Sequence, residues 1–283
     1  MKFEKWQALG NDYLIFEQER LPWELTEARI EWLCDQHFGV GSDGVLLLSR
    51  SEDPEFVADL RIFNPDGSEA ELSGNGAREA ILYLRRHGWT DQDEFAISTV
   101  AGPIRPTITG ELTCSVDMGR ASTSSKDFPS GPDDGRGTLE SGGREWEFQH
   151  VSIGNPQCAI VVDASELDEL DLGEIGPGVE GHDLFPNRTN VSFVAIDGSR
   201  VRARIFERGV GETLSSGTGA SGAAVTAFLR GSASPLVVEL EGGELQVEVA
   251  EDLAVRLDGW AEPVFSGELS PELVQALTEL DGS

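Results

Sequence analysis

Lysine is almost missing from this chain. Only Lys2, Lys5 and Lys126 occur, the rest of the positive charge is arginine, and 21 basic residues face 51 acidic ones for a formal charge of −30. Nucleic acid and anionic membranes need a basic surface to meet their phosphates, so neither is expected as a partner. Cysteine is nearly as scarce. Cys34, Cys114 and Cys158 form no CxxC pair and no zinc spacing, so free buried thiols are expected, and no metal. No run reaches the roughly 18 apolar residues of a membrane span. The N-terminal "MKFEKWQALGND" lacks the apolar stretch of a signal peptide, so a cytoplasmic protein is expected. Phosphate loops and nucleotide fingerprints are also missing, and no cofactor is expected.

What the chain does contain is a repeat of itself. "ELSGNGAREAILYL" is echoed by "TLSSGTGASGAAVTAF": at an offset of 143, Phe63 falls on Phe206, Glu69 on Glu212, Ser73 on Ser216, Gly74 on Gly217, Gly76 on Gly219 and Ala77 on Ala220, while Asn64 falls on Glu207. At an offset of 144, Gly10 and Asn11 fall on Gly154 and Asn155. One internal duplication explains both matches, and 283 residues suffice for two cores.

Many short apolar or alternating runs, among them "YLIFE", "GVLLLS", "VADLRIF", "CAIVVD", "VSFVAI", "VRARIF" and "LQVEV", predict strands. Helices are predicted over 24–37, 75–87, 218–230 and 271–280. The helices after Ser73 and Ser216 carry small apolar faces suited to burial inside a curved sheet. The expected fold is therefore α+β: two pseudo-symmetric domains from an internal duplication, each a curved mixed β-sheet or barrel around a central helix, with a cleft between them. The expected boundaries are 1–118 and 119–264. Residues 119–145, polar and rich in Gly and Ser, read as a flexible connector, and 265–283 is expected to pack back onto the first half.

At each repeated join a strand-like run meets a helix start. The first backbone amides of a helix lack intrahelical acceptors and carry partial positive charge, so such an end stabilises a carboxylate or phosphate. Serine there is also an ordinary N-cap, and "NPDGSE" at 64–69 is ordinary turn chemistry. In "FERGVGE" an adjacent Glu207 and Arg208 can pair with the ammonium and carboxylate of an amino acid.

The stretches "ALGNDYLIFE", "FGVGSDGVLLL", "RIFNPDGSEAELSGNGAR", "GNP" at 154–156, "NRTNVSFV" and "FERGVGETLSSGTGA" make the chain resemble the diaminopimelate epimerases, cofactor-independent racemases of lysine and peptidoglycan synthesis. That resemblance implies interconversion of LL- and meso-2,6-diaminopimelate. Two groups would act from opposite sides of the α-carbon, one removing its proton and the other returning one. Carried over by position, Ser73 and Ser216 occupy the catalytic sites, where the family has cysteine. Gly74, Asn75, Gly217 and Thr218 then surround the reacting carboxylate, and Asn11, Asn64, Asn155, Asn190, Glu207 and Arg208 bind the rest of the substrate. Gln157 stands where the family has histidine, Gly44 where glutamine is common, and Glu79 where a further cysteine often follows. The implied partner is a small diamino-dicarboxylic acid, with a homodimer left open. Two other readings keep the site but change its use: a one-base isomerase or dehydratase with Glu69, Glu79, Glu207 or Glu212 as base, and a non-catalytic amino-acid-binding homologue.

Overall fold

The computed structural model describes residues 1–70 and 73–280. In chain order the first stretch holds β1 (Lys2–Ala8), β2 (Asn11–Glu17), α1 (Glu27–Cys34), β3 (Val45–Ser49), β4 (Ala58–Phe63), β5 (Glu69–Ala70), α2 (Gly74–Arg86), β6 (Ile97–Thr99), β7 (Gly102–Ile104), β8 (Pro106–Gly110) and β9 (Thr113–Arg120). The second holds β10 (Arg136–Ser141), β11 (Arg144–Ser152), β12 (Pro156–Val161), α3 (Ala164–Glu169), α4 (Leu172–Glu180), β13 (Asn190–Asp197), β14 (Arg200–Glu207), β15 (Gly211–Thr213), α5 (Gly217–Leu229), β16 (Leu236–Leu240), β17 (Gly243–Val249) and β18 (Ala254–Trp260). The chain closes with β19 (Glu262–Glu268) and α6 (Pro271–Glu279). Two compact units result, Met1–Val116 with Trp260–Ser283, and Asp117–Gly259.

The duplication is visible strand by strand. The first unit's sheet runs β19-β1-β2-β3-β4-β6-β7 with β5 on β4, and the second unit's sheet holds the matching run β10-β11-β12-β13-β14-β16-β17, with β15 on β14, and continues to β18. Parallel pairs fall at the same places, β2 with β3 and β4 with β6 in one unit, β12 with β13 and β14 with β16 in the other. Even the register repeats: Phe63 lies opposite Glu69, and Phe206 opposite Glu212. These strands are apolar on both faces because both faces are covered. In the first unit Leu14, Phe16, Val45 and Leu47 pack with α1 and α6, while Tyr13 and Leu46 approach Gly76 of α2. In the second, Cys158, Ile160, Val191 and Phe193 pack with residues of α3 and α4, and α5 lies against β11 through β14. The α2 segment Asn75–Leu84 is buried throughout, as the expected central helix requires.

β19 pairs with β1, and Leu277 of α6 lies in the first unit's core. Arg29 of α1, fully buried, donates to the Leu277 carbonyl at 2.8 Å. The expectation for 265–283 includes residues 281–283, which lie outside the described residues. Segment 119–145, expected to be a flexible connector, differs from that reading: it holds β10 and the start of β11, and Phe128 sits in the core. The reason is local. Gly142 and Gly143 take left-handed φ of +60° and +72°, the conformation a two-residue type I′ hairpin turn requires, so the Gly-rich composition marks a hairpin. Cys34, Cys114 and Cys158 are all buried.

Candidate active site

The two repeated joins share one scaffold. Ser73 caps α2 with extended backbone (φ −127°, ψ 122°) and its Oγ accepts from the Gly76 amide at 3.1 Å. Ser216 caps α5 in the same way (φ −148°, ψ 121°), its Oγ accepting from the Gly219 amide at 3.2 Å. Each helix is 13 residues long. Beside each cap an asparagine from the preceding strand region reaches the second helical residue. Asn75 Nδ2 donates to Asn11 Oδ1 at 3.2 Å, and Asn155 Nδ2 donates to Thr218 Oγ1 at 3.2 Å. Each β-strand leading to the join is clamped by an arginine–glutamate pair. Arg61 Nε and Nη2 donate to Glu69 at 2.8 and 2.9 Å, and Arg204 Nε donates to Glu212 at 2.9 Å.

That clamp bears on the candidate bases. Glu69 is held by Arg61, whose hydrogen bonds keep its carboxyl below the usual range, and Glu212 is held by Arg204. Glu79 is fully buried, and burial pushes its carboxyl well above the ordinary range. Neither Glu79 oxygen has a hydrogen bond of normal geometry, although the Tyr13 backbone amide is near enough to offset the shift slightly. Glu207 is different. Its Oε1 accepts from Thr213 Oγ1 at 2.9 Å and its Oε2 from Ser216 Oγ at 3.1 Å. Burial raises its carboxyl, with these two hydroxyls opposing the rise. A partly desolvated carboxylate hydrogen-bonded to a serine hydroxyl is the adjacent base that such a hydroxyl needs to act on a proton.

The remaining predicted residues serve several roles. Asn64 donates to Ser68 Oγ at 2.9 Å and so closes its own turn. Asn190, buried, accepts from the Arg208 amide at 2.9 Å and donates to the Pro156 carbonyl at 3.1 Å, tying β13 to both neighbouring loops. The exposed Arg208 donates to the Asn187 carbonyl at 3.0 Å. Gln157 donates to Asn155 Oδ1 at 2.7 Å, and its own side-chain oxygen lacks a partner.

Sequence reasoning missed Tyr13. Its hydroxyl donates to Ser73 Oγ at 3.2 Å. Its ring occupies space that Gly44 leaves open, since a Cβ there would lie 2.7 Å from Tyr13 Cε1 and overlap the Phe63 carbonyl. An alignment of the halves that asked what replaces Gln157, offset 144 from Tyr13, would have drawn attention to it.

The family model for diaminopimelate epimerase matches residues 3–124 and 149–259. The chain belongs to the diaminopimelate epimerase family. It is 39% identical over 279 residues to diaminopimelate epimerase 2 of Nostoc sp., covering 96% of this chain and 97% of that one. It is 41% identical over 279 residues to the diaminopimelate epimerase of a Synechococcus strain, covering 94% and 97%. Solved structures of a phenazine biosynthesis protein of the PhzF family from Bacillus anthracis (TM-score 0.67, 19% identity, 95% and 99% covered) and of a probable proline racemase from Agrobacterium radiobacter (TM-score 0.66, 15% identity, 96% and 95% covered) share the fold. The duplicated two-body architecture is thus that of the diaminopimelate epimerase family. Among the described residues no helix is long and apolar enough to cross a membrane, and no three His, Cys, Asp or Glu side chains cluster to suit a metal.

Proposed function

We propose that the protein is a diaminopimelate epimerase, interconverting LL- and meso-2,6-diaminopimelate by removing the α-proton and returning one from the other face. The observation that carries this reading is the Ser216–Glu207 pair at the capped end of α5, matched by Ser73 at the capped end of α2. Each unit supplies one hydroxyl to the reaction. The helix starts at Gly74–Asn75 and Gly217–Thr218 hold the reacting carboxylate, where their partial positive charge stabilises the charge that develops as the α-proton leaves. Asn11, Asn64, Asn155, Asn190 and Arg208 hold the remainder of the substrate, with Arg208 on the distal carboxylate. Glu207, drawn by Ser216 toward the reacting end, acts as base through that hydroxyl.

An aliphatic hydroxyl is a poor base unaided. Hydrogen bonding to a carboxylate whose proton affinity burial has raised lets it take the α-proton as it passes its own to Glu207. Family membership at about 40% identity over nearly the whole chain supports the substrate class. The reading also implies a cytoplasmic protein, as a homodimer or a single chain, that meets its substrate as a small molecule. Incubation with LL-diaminopimelate, followed by proton NMR, is expected to produce the meso isomer. Ligand-induced thermal stabilisation without any meso isomer would instead make it an amino-acid-binding protein.

A further inference from the structure

Ser73 and Ser216 hold equivalent places, yet their hydrogen bonds run in opposite senses. Ser73 Oγ accepts twice, from the Gly76 amide at 3.1 Å and from the Tyr13 hydroxyl at 3.2 Å. A hydroxyl has two acceptor sites and one donor, so Ser73 has only its proton left to offer. Ser216 Oγ accepts once, from Gly219, and gives its proton to Glu207. It therefore has a lone pair left to offer. The surrounding charge follows the same division. Arg78, fully buried, donates to the Gly74 carbonyl at 3.1 Å and to Asn75 Oδ1 at 2.5 Å beside Ser73. Its counterpart in the second unit is the neutral Ser221, which makes the equivalent bond to the Gly217 carbonyl at 2.9 Å. The carboxylate of Glu207 has only the neutral Asn64 as its counterpart in the first unit. A cation thus holds the helix start that follows Ser73, whereas Ser216 itself is bonded to an anion.

We propose that Tyr13 makes Ser73 the proton-delivering group, opposite in sense to the proton-removing Ser216–Glu207 pair. The resting protein is then poised for one epimer, and after each turnover it resets through solvent before it can take that same epimer again. This rests on the epimerase reading and assigns the two hydroxyls within it. In the poised direction the α-C–H bond breaks and its electron pair stays on the α-carbon, spread into the bound carboxylate. The proton passes to Ser216 Oγ while Ser216 gives its own to Glu207. A new C–H bond then forms with the Ser73 proton as the Tyr13 O–H proton moves to Ser73 Oγ. Glu207 has gained one proton and Tyr13 has lost one, and exchange with water restores both. Delivery thereby ends on a phenolate, of ordinary pKa about 10, in place of the much more basic alkoxide. Tyr13 acts through Ser73 and is a positioning residue, and Gly44 is what admits its ring.

The test compares α-proton exchange with inversion in heavy water, using LL- and meso-diaminopimelate and the Tyr13→Phe and Glu207→Gln proteins. In Tyr13→Phe, inversion is expected to fall about 100-fold, while exchange of one epimer stays within about threefold of the parent, because removal still works and delivery does not. Glu207→Gln, which disturbs the other hydroxyl, is expected to give the mirror pattern with the other epimer. Exchange and inversion falling by one factor for both epimers, or inversion unchanged in Tyr13→Phe, overturns the assignment. A parent protein that exchanges neither epimer overturns the epimerase reading itself, and this assignment with it.

Discussion

The capped helix start of the first unit and that of the second share a scaffold and differ in chemistry. Serine cap, asparagine tie and arginine–glutamate clamp repeat almost bond for bond. Four matched positions break the likeness: Tyr13 against Gln157, Asn64 against Glu207, Arg78 against Ser221, and Glu79 against Gly222. A Cβ at Gly222 would come within 2.9 Å of the Gln157 side chain, so Gln157 and Gly222 fit each other as Tyr13 and Gly44 do. In the proposed reaction, duplication supplies two helix ends for a carboxylate, and divergence around them sorts the hydroxyls by how they handle protons.

The largest expected effect comes from making the halves alike. Glu207→Gln removes the titratable partner of Ser216, and inversion is expected to fall roughly 100- to 10,000-fold in steady-state assays. A loss of less than tenfold would mean that Glu207 is not the base. The same carboxylate shapes the pH profile. It acts only when ionised and burial raises its pKa, so kcat/KM should fall on the acid side with a midpoint above the ordinary glutamate value of about 4.3. Glu207→Asp should move that midpoint, and a profile unmoved by it would place the limb elsewhere.

Smaller effects sharpen the likeness of the scaffold. Ser73→Ala and Ser216→Ala each lose an N-cap and should lower unfolding free energy by about 0.5–2 kcal/mol in urea titrations. Ser216→Ala should cost more, because it also strips a donor from the half-buried Glu207 carboxylate. Equal losses would count against that bond. The smallest effect concerns Glu79, whose folded pKa is raised, so the folded protein holds its proton after the unfolded chain has released it. Its penalty is absent below about pH 4.3 and grows as pH rises toward the folded value. Glu79→Gln should therefore raise Tm by a few degrees, roughly 2–4 °C per kcal/mol, at pH 7 and not at pH 4. A gain of equal size at both would show that ionisation is not the cause.

Much of this was legible in the sequence, for reasons tied to particular residues. Identities at one offset mark Ser73, Ser216 and both helix starts, and apolar runs mark strands covered on two faces. The Arg61–Glu69 and Arg204–Glu212 clamps were within reach of the same offset. The offset of 144 sets Tyr13 against Gln157, but its bond to Ser73 spans 60 residues and depends on the room left at Gly44, which no local pattern states. β10 was hidden by glycine and serine that look like linker but form a hairpin turn. Glu207 was visible as a charged site residue, whereas its bond to Ser216 appears only when β14 and the start of α5 are brought together.

The most direct measurement is the deuterium content of substrate and product early in the reaction of the unaltered protein with LL-diaminopimelate in heavy water. Removal by one hydroxyl and delivery by another predicts a meso product carrying deuterium at the inverted α-carbon while the remaining LL substrate is still protiated. Deuterium appearing in substrate as fast as in product, or in neither, would contradict two hydroxyls of opposite sense.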